Sequence, residues 1–566
     1  MMPCLANAIM DPQPSSKAFM REPSFGLTLA FPFLTLIAAG CQSLPSPHGN
    51  RSMNDSQLGP ALAESIDVIA HSGHRSDALT RAQVRHRHLL ARHLPRLLAE
   101  AKAEGSDKAD PSPDSNELDQ IASVVDSGGS PDGLKRAGIG VPLVVRRAAR
   151  DDPNAPRFGY HLAATLVAQP DEKPDHQRQV VGQTWPVGGA TAKVPEEISG
   201  ETTGEAAGCC QVDLVDPRRV ARVPTTTGTL PVAMDLYAPI QATRATNVAP
   251  MAAVGNLLRP GRFTDEPRII FLQPFDANKT PVVLVHGLLS TPWVWKPLVT
   301  ELLGDPRIRD CCQFWFFYYP TGQPVPLSAL QLRQALDDAV ARTQLNRKMI
   351  LIGHSMGGIL SRVQVSRLEP ARAEQVFPGV SELSADNRVR QALIFVPRAD
   401  VSRVVFLFVP HRGSALASNG LGALAIRLIR LPDTLLKETE YAFGQLAGHQ
   451  SQRLPTSIHG LSPRSAFMRA LNTTTPSVPT HSIIGNRGRG DGSRGSDGVV
   501  PVRSARLPSA SSELVVPTGH GGFGHPAAVD EIKRIILMDV AQGQTRNGAD
   551  THARALAAQL ENSRIR

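Results

Sequence analysis

The sequence predicts an α/β fold: a mostly parallel sheet with helices on both faces, preceded by an N-terminal accessory region. Two observations predict it. From residue 266 onward short apolar runs alternate with helical patterns, which is how a chain written for a parallel sheet reads. Within that alternation Lys348 to Gly358 reads KMILIGHSMGG. There a strand, a tight turn and a helix follow one another directly, with Ser355 at the apex.

The elements follow in order. Pro281 to Gly287, PVVLVHG, is a buried-strand run ending in His-Gly, followed by Leu288, Leu289 and Ser290. Trp293 to Leu303 reads as a helix and Gln313 to Tyr319 as a strand. Ser328 to Thr343 places Ala329, Leu332, Leu336 and Val340 on one helical face. Met349 to Ile352 is the strand before the turn, and Ile359, Leu360 and Val363 mark the helix after it. Leu393 to Val396 and Val404 to Val409 read as further strands, the second leading into Pro410-His411-Arg412-Gly413-Ser414. Residues 413–448 form a long insertion whose Leu421, Leu424, Ile426, Leu428 and Ile429 make an apolar face. That face fits a cap over a pocket and an ordinary core-facing helix equally well. Thr480 to Gly485 is a short strand. A Gly/Arg-rich loop then leads to Ser496-Asp497-Gly498-Val499-Val500-Pro501. Ser512 to Thr518 is the last strand and delivers Gly519-His520.

Ligands of such sheets sit at the C-terminal ends of the strands, and the reactive residue types collect there. The glycines around Ser355 have a physical task. A side chain at 353 or 357 would strike the neighbouring strand or helix while the turn holds Ser355 strained, with its hydroxyl presented. Ser355 is therefore the candidate nucleophile. Stabilising an oxyanion takes two backbone N–H groups, one from the residue after the nucleophile and one from the loop after an earlier strand. Those residues are Met356 and Leu288. His286 reads as a loop-orienting residue rather than a base. Asp497 would hold the tautomer of His520, and His520 would shuttle the Ser355 proton. Asp491 competes as the acid from inside the Gly-rich loop, and His525 competes as the base five residues on. His411 lies at a strand end and would line the pocket.

From Arg268 to Met538 the chain resembles the α/β-hydrolase superfamily, most closely its bacterial lipase and esterase branch. The resemblance rests on VVLVHGLLS, the FWFFYYPTG strand end, GHSMGG, VPHRGS, SDGVVP and TGH. It covers roughly half of the chain and does not reach residues 42–265. The order Ser, Asp, His is that of the superfamily. The resemblance implies an oxyanion hole at Leu288 and Met356, a triad acid at Asp497 and no metal or organic cofactor. VHGLLSTPWVW and FVPHRGSALA, together with the N-terminus described next, also resemble bacterial hydrolases with a long N-terminal extension.

Residues 25–39 are an apolar run too short for a spanning helix. It ends in Ala38-Ala39-Gly40-Cys41, which resembles the lipobox of bacterial lipoproteins, with Ala38 where leucine is usual. The resemblance implies a signal peptide over 1–40 and lipidation of Cys41. Gln42 in place of aspartate argues against retention at the inner membrane, so the expected location is the bacterial cell envelope, at the outer membrane. The positive segment before the apolar run is thin, and Met20 is an alternative start. Residues 41–60, rich in Ser, Pro, Gly and Asn, read as a tether. Residues 61–265 read as an accessory region, helical and then β-rich; 266–541 form the catalytic domain and 542–566 a tail. Residues 105–133 read as a loop.

Composition sets the remaining bounds. The 566 residues allow two or more domains, and 41% hydrophobic residues suffice for a core. The net charge of +9 favours anionic surfaces, but no nucleic-acid-binding signature accompanies it. His86, His88 and His93 lack a carboxylate or cysteine to complete a metal site, so a solvated basic helix is expected there. With Cys4 removed and Cys41 committed, the six cysteines leave Cys209-Cys210 and Cys311-Cys312. In an oxidising compartment these would bridge the accessory region to the catalytic domain, with a connectivity that spacing does not reveal.

The expected activity is hydrolysis of carboxylic esters, lipidic or otherwise apolar, through an acyl-enzyme. An acyltransferase would use the same triad. A non-catalytic envelope scaffold lipoprotein is the reading from a different class, and loss of a triad residue would have favoured it.

Overall fold

Six-residue apolar runs, buried on both sides, build the centre of the fold. The computed structural model describes residues 55–71, 79, 81–87, 89–90, 118–123, 133–147, 152–156, 160–170, 210–247, 267–414, 460–488 and 495–543. Seven strands form the larger sheet: β1 (Arg268–Phe271), β2 (Thr280–Val285), β3 (Cys312–Tyr318), β4 (Met349–His354), β5 (Val401–Leu407), β6 (Thr480–Gly485) and β7 (Ser512–Val516). Their order is β7-β6-β5-β4-β2-β3-β1. Every pairing is parallel except that of the edge strand β1, which runs antiparallel to β3. Every residue of β2, β4 and β6 is buried. Covered on both faces, these strands have no reason to alternate polar with apolar.

The two faces separate by residue parity. Val283, Val285, Met349 and Leu351 pack with Leu332 and Leu336 of α2 (Val325–Arg342) and with Ile359 and Leu360 of α3 (Met356–Gln364). Val282, Leu284, Ile350 and Ile352 pack with Leu298 and Leu302 of α1 (Lys296–Gly304) and with Ile532, Ile535 and Ile536 of α4 (526–543). At the strand starts a buried network pins α4 to the sheet. Arg403 Nε donates to Asp539 Oδ1 at 3.0 Å and Nη1 donates to His481 Nε2 at 2.7 Å. Ser402 Oγ donates to Asp539 Oδ2 at 2.8 Å. Burial, with Arg403 and Arg534 nearby, lowers the His481 pKa to about 4. The ring is therefore neutral and accepts from the guanidinium.

The accessory region contributes a four-stranded antiparallel sheet of Leu118–Ser123, Val141–Arg147, Tyr160–Pro170 and Cys210–Val215, paired in chain order. It shares both cores with the larger sheet. Ala155, Tyr160 and Leu162 join the α2/α3 side, while Leu134, Ala163, Met234 and Leu236 join the other. Asn154 docks on the edge strand: its Nδ2 donates to Ile269 O at 3.0 Å, and Phe271 N donates to its carbonyl at 2.8 Å.

Several expectations are corrected. Leu393–Val396 is not a strand. Asn387 caps a helix over Arg388–Leu393 by accepting from Val389 N and Arg390 N, and Phe395 makes only an isolated bridge to Leu368. The expected loop 105–133 contains the strand Leu118–Ser123. The tether is shorter than expected, because a helix begins at Asp55 and runs to His71; Leu62, Ile66 and Ile69, at helical spacing, are buried. The basic helix around His86 is not solvated on all sides. His86 is buried with Nδ1 2.8 Å from Ser65 Oγ, and burial lowers its pKa to about 4. His88 and His93 lie outside the described residues, and so do Cys41, Cys209, most of the 413–448 insertion and the tail from 544 on. Cys311 and Cys312 are free thiols with Sγ atoms 3.5 Å apart. No cluster of three or more metal-ligating residues occurs among the described residues.

Candidate active site

β4 ends at His354 and α3 starts at Met356, which leaves one residue to reverse the chain. That residue is Ser355, with φ 52° and ψ −122°. A non-glycine residue there carries strain on the order of 1–3 kcal/mol, held by the packed strand and helix on either side. Ser355 N donates to Leu407 O at 3.1 Å, tying the turn to β5. The sharpness of the turn depends on Gly357, where a Cβ would overlap the carbonyl oxygens of Val285 and His286. This is the collision with a neighbouring strand that the sequence predicts.

The loop after β2 runs against the serine. A Cβ on Gly287 would lie 2.9 Å from Ser355 Cβ and 2.9 Å from His354 Nδ1. His286 is fully buried, its ring stacked on Tyr319 at 4.5 Å. Tyr319 Oη donates to His286 O at 2.8 Å, and His286 Nδ1 donates to Gly287 O at 3.1 Å. Burial lowers its pKa to about 4, partly offset by the bond to Gly287. A neutral ring bonded to its own loop orients that loop, as expected. Leu288 is half-buried against the core. Leu289 takes φ 57°, donates its N–H to Thr321 Oγ1 at 3.2 Å and is 48% exposed. Met356 is fully buried as the first residue of α3.

The candidate acid and base are brought together. Asp497 is 1% exposed. Its Oδ1 accepts from Val499 N at 2.8 Å and Val500 N at 2.6 Å; its Oδ2 lies 2.7 Å from His520 Nδ1. His520 N also donates to Asp497 O at 3.1 Å. A carboxylate can only accept, so Nδ1 carries the proton and Nε2 is left as the basic nitrogen. The competitors fare differently. His525 precedes α4: its N–H donates to Gly522 O, its carbonyl accepts from Val529 N, and it makes no bond to Asp497. Asp491 lies outside the described residues. His411 is buried in the core beside the strand end. It is 1% exposed and edge-on to Phe406 at 4.5 Å, and neither ring nitrogen has a partner among the described residues. Burial, with Arg362 and Arg412 nearby, holds its pKa well below the ordinary range.

Two residues at this site escape sequence reasoning. Phe408 adopts φ 57° just after β5, which ends that strand two residues earlier than the apolar run suggests. His354, inside the GHSMG turn, places Nε2 2.9 Å from His520 O. The only signal for the second was a histidine next to the candidate nucleophile, and that says nothing about a partner 166 residues away.

The alpha/beta hydrolase family matches this chain over residues 282–532. That stretch has the α/β-hydrolase fold. No curated protein matches the chain. Among solved structures, a mature lipase of Bacillus licheniformis is similar at 18% identity, covering 48% of this chain and 97% of its own, with a TM-score of 0.29. An esterase of Pyrococcus furiosus is similar at 14% identity, covering 52% of this chain and 94% of its own, with a TM-score of 0.28. The phospholipase PlaB of Legionella pneumophila is similar at 17% identity, covering 40% and 44%, with a TM-score of 0.25.

Within the hydrolase domain the two candidate acids are separable. Asp497→Asn should cost far more activity than Asp491→Asn, because Asp497 holds the His520 imidazole. The amide would favour the wrong tautomer, and such a change costs on the order of 10⁴ in turnover. Steady-state rates of the two variants on one ester decide it; a larger loss at 491 would move the acid into the Gly-rich loop.

Proposed function

We propose that this chain is a serine hydrolase that cleaves carboxylic esters with lipidic or otherwise apolar acyl groups. The 2.7 Å contact between His520 Nδ1 and Asp497 Oδ2 carries this reading, since it prepares Nε2 as a base at the mouth of an α/β-hydrolase turn. Ser355 Oγ attacks the ester carbonyl as His520 Nε2 takes its proton. The N–H groups of Leu288 and Met356 receive the oxyanion. His520 returns the proton to the departing alcohol and then activates water to release the acid from Ser355. Asp497 stays ionised throughout and balances the imidazolium. The exposed Leu289 next to the oxyanion loop supports an apolar substrate.

Turnover of a graded series of p-nitrophenyl esters by the purified protein tests the reading, together with fluorophosphonate labelling. Expected are labelling of one serine and a preference for longer acyl chains. Absence of both hydrolysis and labelling would remove it. Acyl transfer to an added alcohol in place of free acid would reassign the second step to an acyltransferase.

The same proposal places the protein at the bacterial outer membrane through a lipidated Cys41. One acyl chain binds only marginally, so stable anchoring takes the several chains of a processed lipoprotein. Cys41→Ala is expected to move the protein from the membrane fraction to the soluble fraction. Retention of the variant on membranes would shift the anchor to the apolar segment or the basic surface.

A further inference from the structure

His354 stands between the two loops the proposed chemistry depends on. On one side its Nε2 is 2.9 Å from the carbonyl of His520. On the other its Nδ1 faces Gly287, close enough that a Cβ there would come within 2.9 Å. The ring is 6% exposed and enclosed by aromatic groups: Phe523 at 4.6 Å, His520 at 4.8 Å, Phe408 at 6.1 Å and Trp295 at 6.3 Å. A carbonyl accepts only from N–H, so the single proton of the neutral ring sits on Nε2. Nδ1 has no partner among the described residues. Burial, and then the neighbouring His520, lower its pKa to about 3, so the ring does not titrate in the working range.

The geometry points to His354 as a positioning residue that fixes His520 by hydrogen-bonding its backbone while its ring spaces the oxyanion loop from the base loop. This rests on the reading of Ser355, Asp497 and His520 as a triad. Asp497 holds the side chain of His520 through Nδ1 and its amide through the Asp497 carbonyl. The His520 carbonyl is the remaining handle on that residue, and His354 takes it. His520 is thus held at three atoms, which fixes both the position of the ring and the direction of Nε2. Without the third bond the His520–Gly521 peptide, at the centre of the turn closed by Gly522 N–H on Gly519 O, loses the bond that sets its own direction. A base misplaced by about 1 Å loses on the order of 10²-fold in rate. His354 moves no proton and touches no substrate.

Two substitutions separate the hydrogen bond from the packing. His354→Phe keeps a ring in the aromatic enclosure and deletes the donor. His354→Gln keeps an N–H donor at similar reach and deletes the ring. For the Phe variant kcat is expected to fall roughly 10- to 100-fold while KM changes by less than about threefold, because positioning acts on the reacting geometry. The Gln variant should recover most of that loss. A residue that only fills space would give the reverse ranking, and Phe turning over as fast as wild type, or faster than Gln, overturns the inference. Should the Phe variant fail to fold, His354→Met replaces it, since methionine fills irregular space without a donor; wild-type kcat in the Met variant overturns the inference equally. Fluorophosphonate labelling of Ser355→Ala distinguishes the two levels of failure. If labelling survives in Ser355→Ala, the triad reading is wrong. If it is lost there while the donor-free His354 variants turn over normally, only the positioning role is wrong.

Discussion

Replacing Ser355 with alanine is expected to lower ester hydrolysis by about 10³-fold or more while leaving the fold intact. The hydroxyl is the only atom removed, and with it goes the covalent route. Residual turnover would come from the oxyanion donors and the binding site. The substitution should also raise stability slightly, because alanine buries no hydroxyl beside the His354 ring. It does not relieve the strain of the turn, since any non-glycine residue at φ 52° meets the same backbone clash. Loss of activity with an unchanged or raised melting temperature is therefore the expected pair of results, with loss of fluorophosphonate labelling as the third. Labelling that persists on another serine would transfer the nucleophile elsewhere.

The second large effect separates two histidines five residues apart. His520→Ala should abolish turnover near neutral pH, whereas His525→Ala should keep a sizeable fraction. His520 is bound to Asp497 through both its ring and its backbone. His525 is instead the residue that precedes α4: its N–H donates to Gly522 O and its carbonyl accepts from Val529 N. Its Nδ1 is buried with no partner among the described residues. The measurement is the initial rate of both variants on one ester. A reversed ranking would mean that the loop between them folds back in the working enzyme.

The parts legible in the sequence share one property: their signal is local. KMILIGHSMGG states a buried strand, a turn that tolerates only glycine two residues to either side of the serine, and a helix. The strand, the turn and the helix stand where it puts them. THSIIG is a buried strand with the expected bounds. SDGVVP and TGH stand next to each other in space because β6 and β7 are neighbours and each delivers its polar residue at the same end. The parts that were not legible depend on partners distant in the chain. His354 and His520 are 166 residues apart, and Arg403 and Asp539 are 136 apart. Periodicity shows that a residue is buried but not what it meets. Leu393–Val396 failed for another reason: LIFV is apolar enough for a strand, but the Asn387 side chain caps a helix over Arg388–Leu393 that ends inside it, and only an isolated bridge at Phe395 remains. The accessory region reads as helical and then β-rich, and a helix and strands stand there; which of its residues enter the larger sheet's cores was not legible, because apolar strand residues read alike whether they fill their own core or share that of a neighbouring sheet.

Asn154 has a consequence for how this protein behaves in concentrated solution. A sheet ends in a row of unpaired backbone groups, and such a row is a template for strands of other molecules. At β1 that row is already occupied by Asn154, from the same chain, through Ile269 O and Phe271 N. The opposite edge, β7, is short. It carries Glu513 on its exposed face, paired with Arg506 at 3.0 Å. One border of the sheet is thus sealed and the other guarded by charge. Edge-to-edge pairing, the common hazard of an open sheet, is opposed at both borders, most directly at the first, which the accessory region covers.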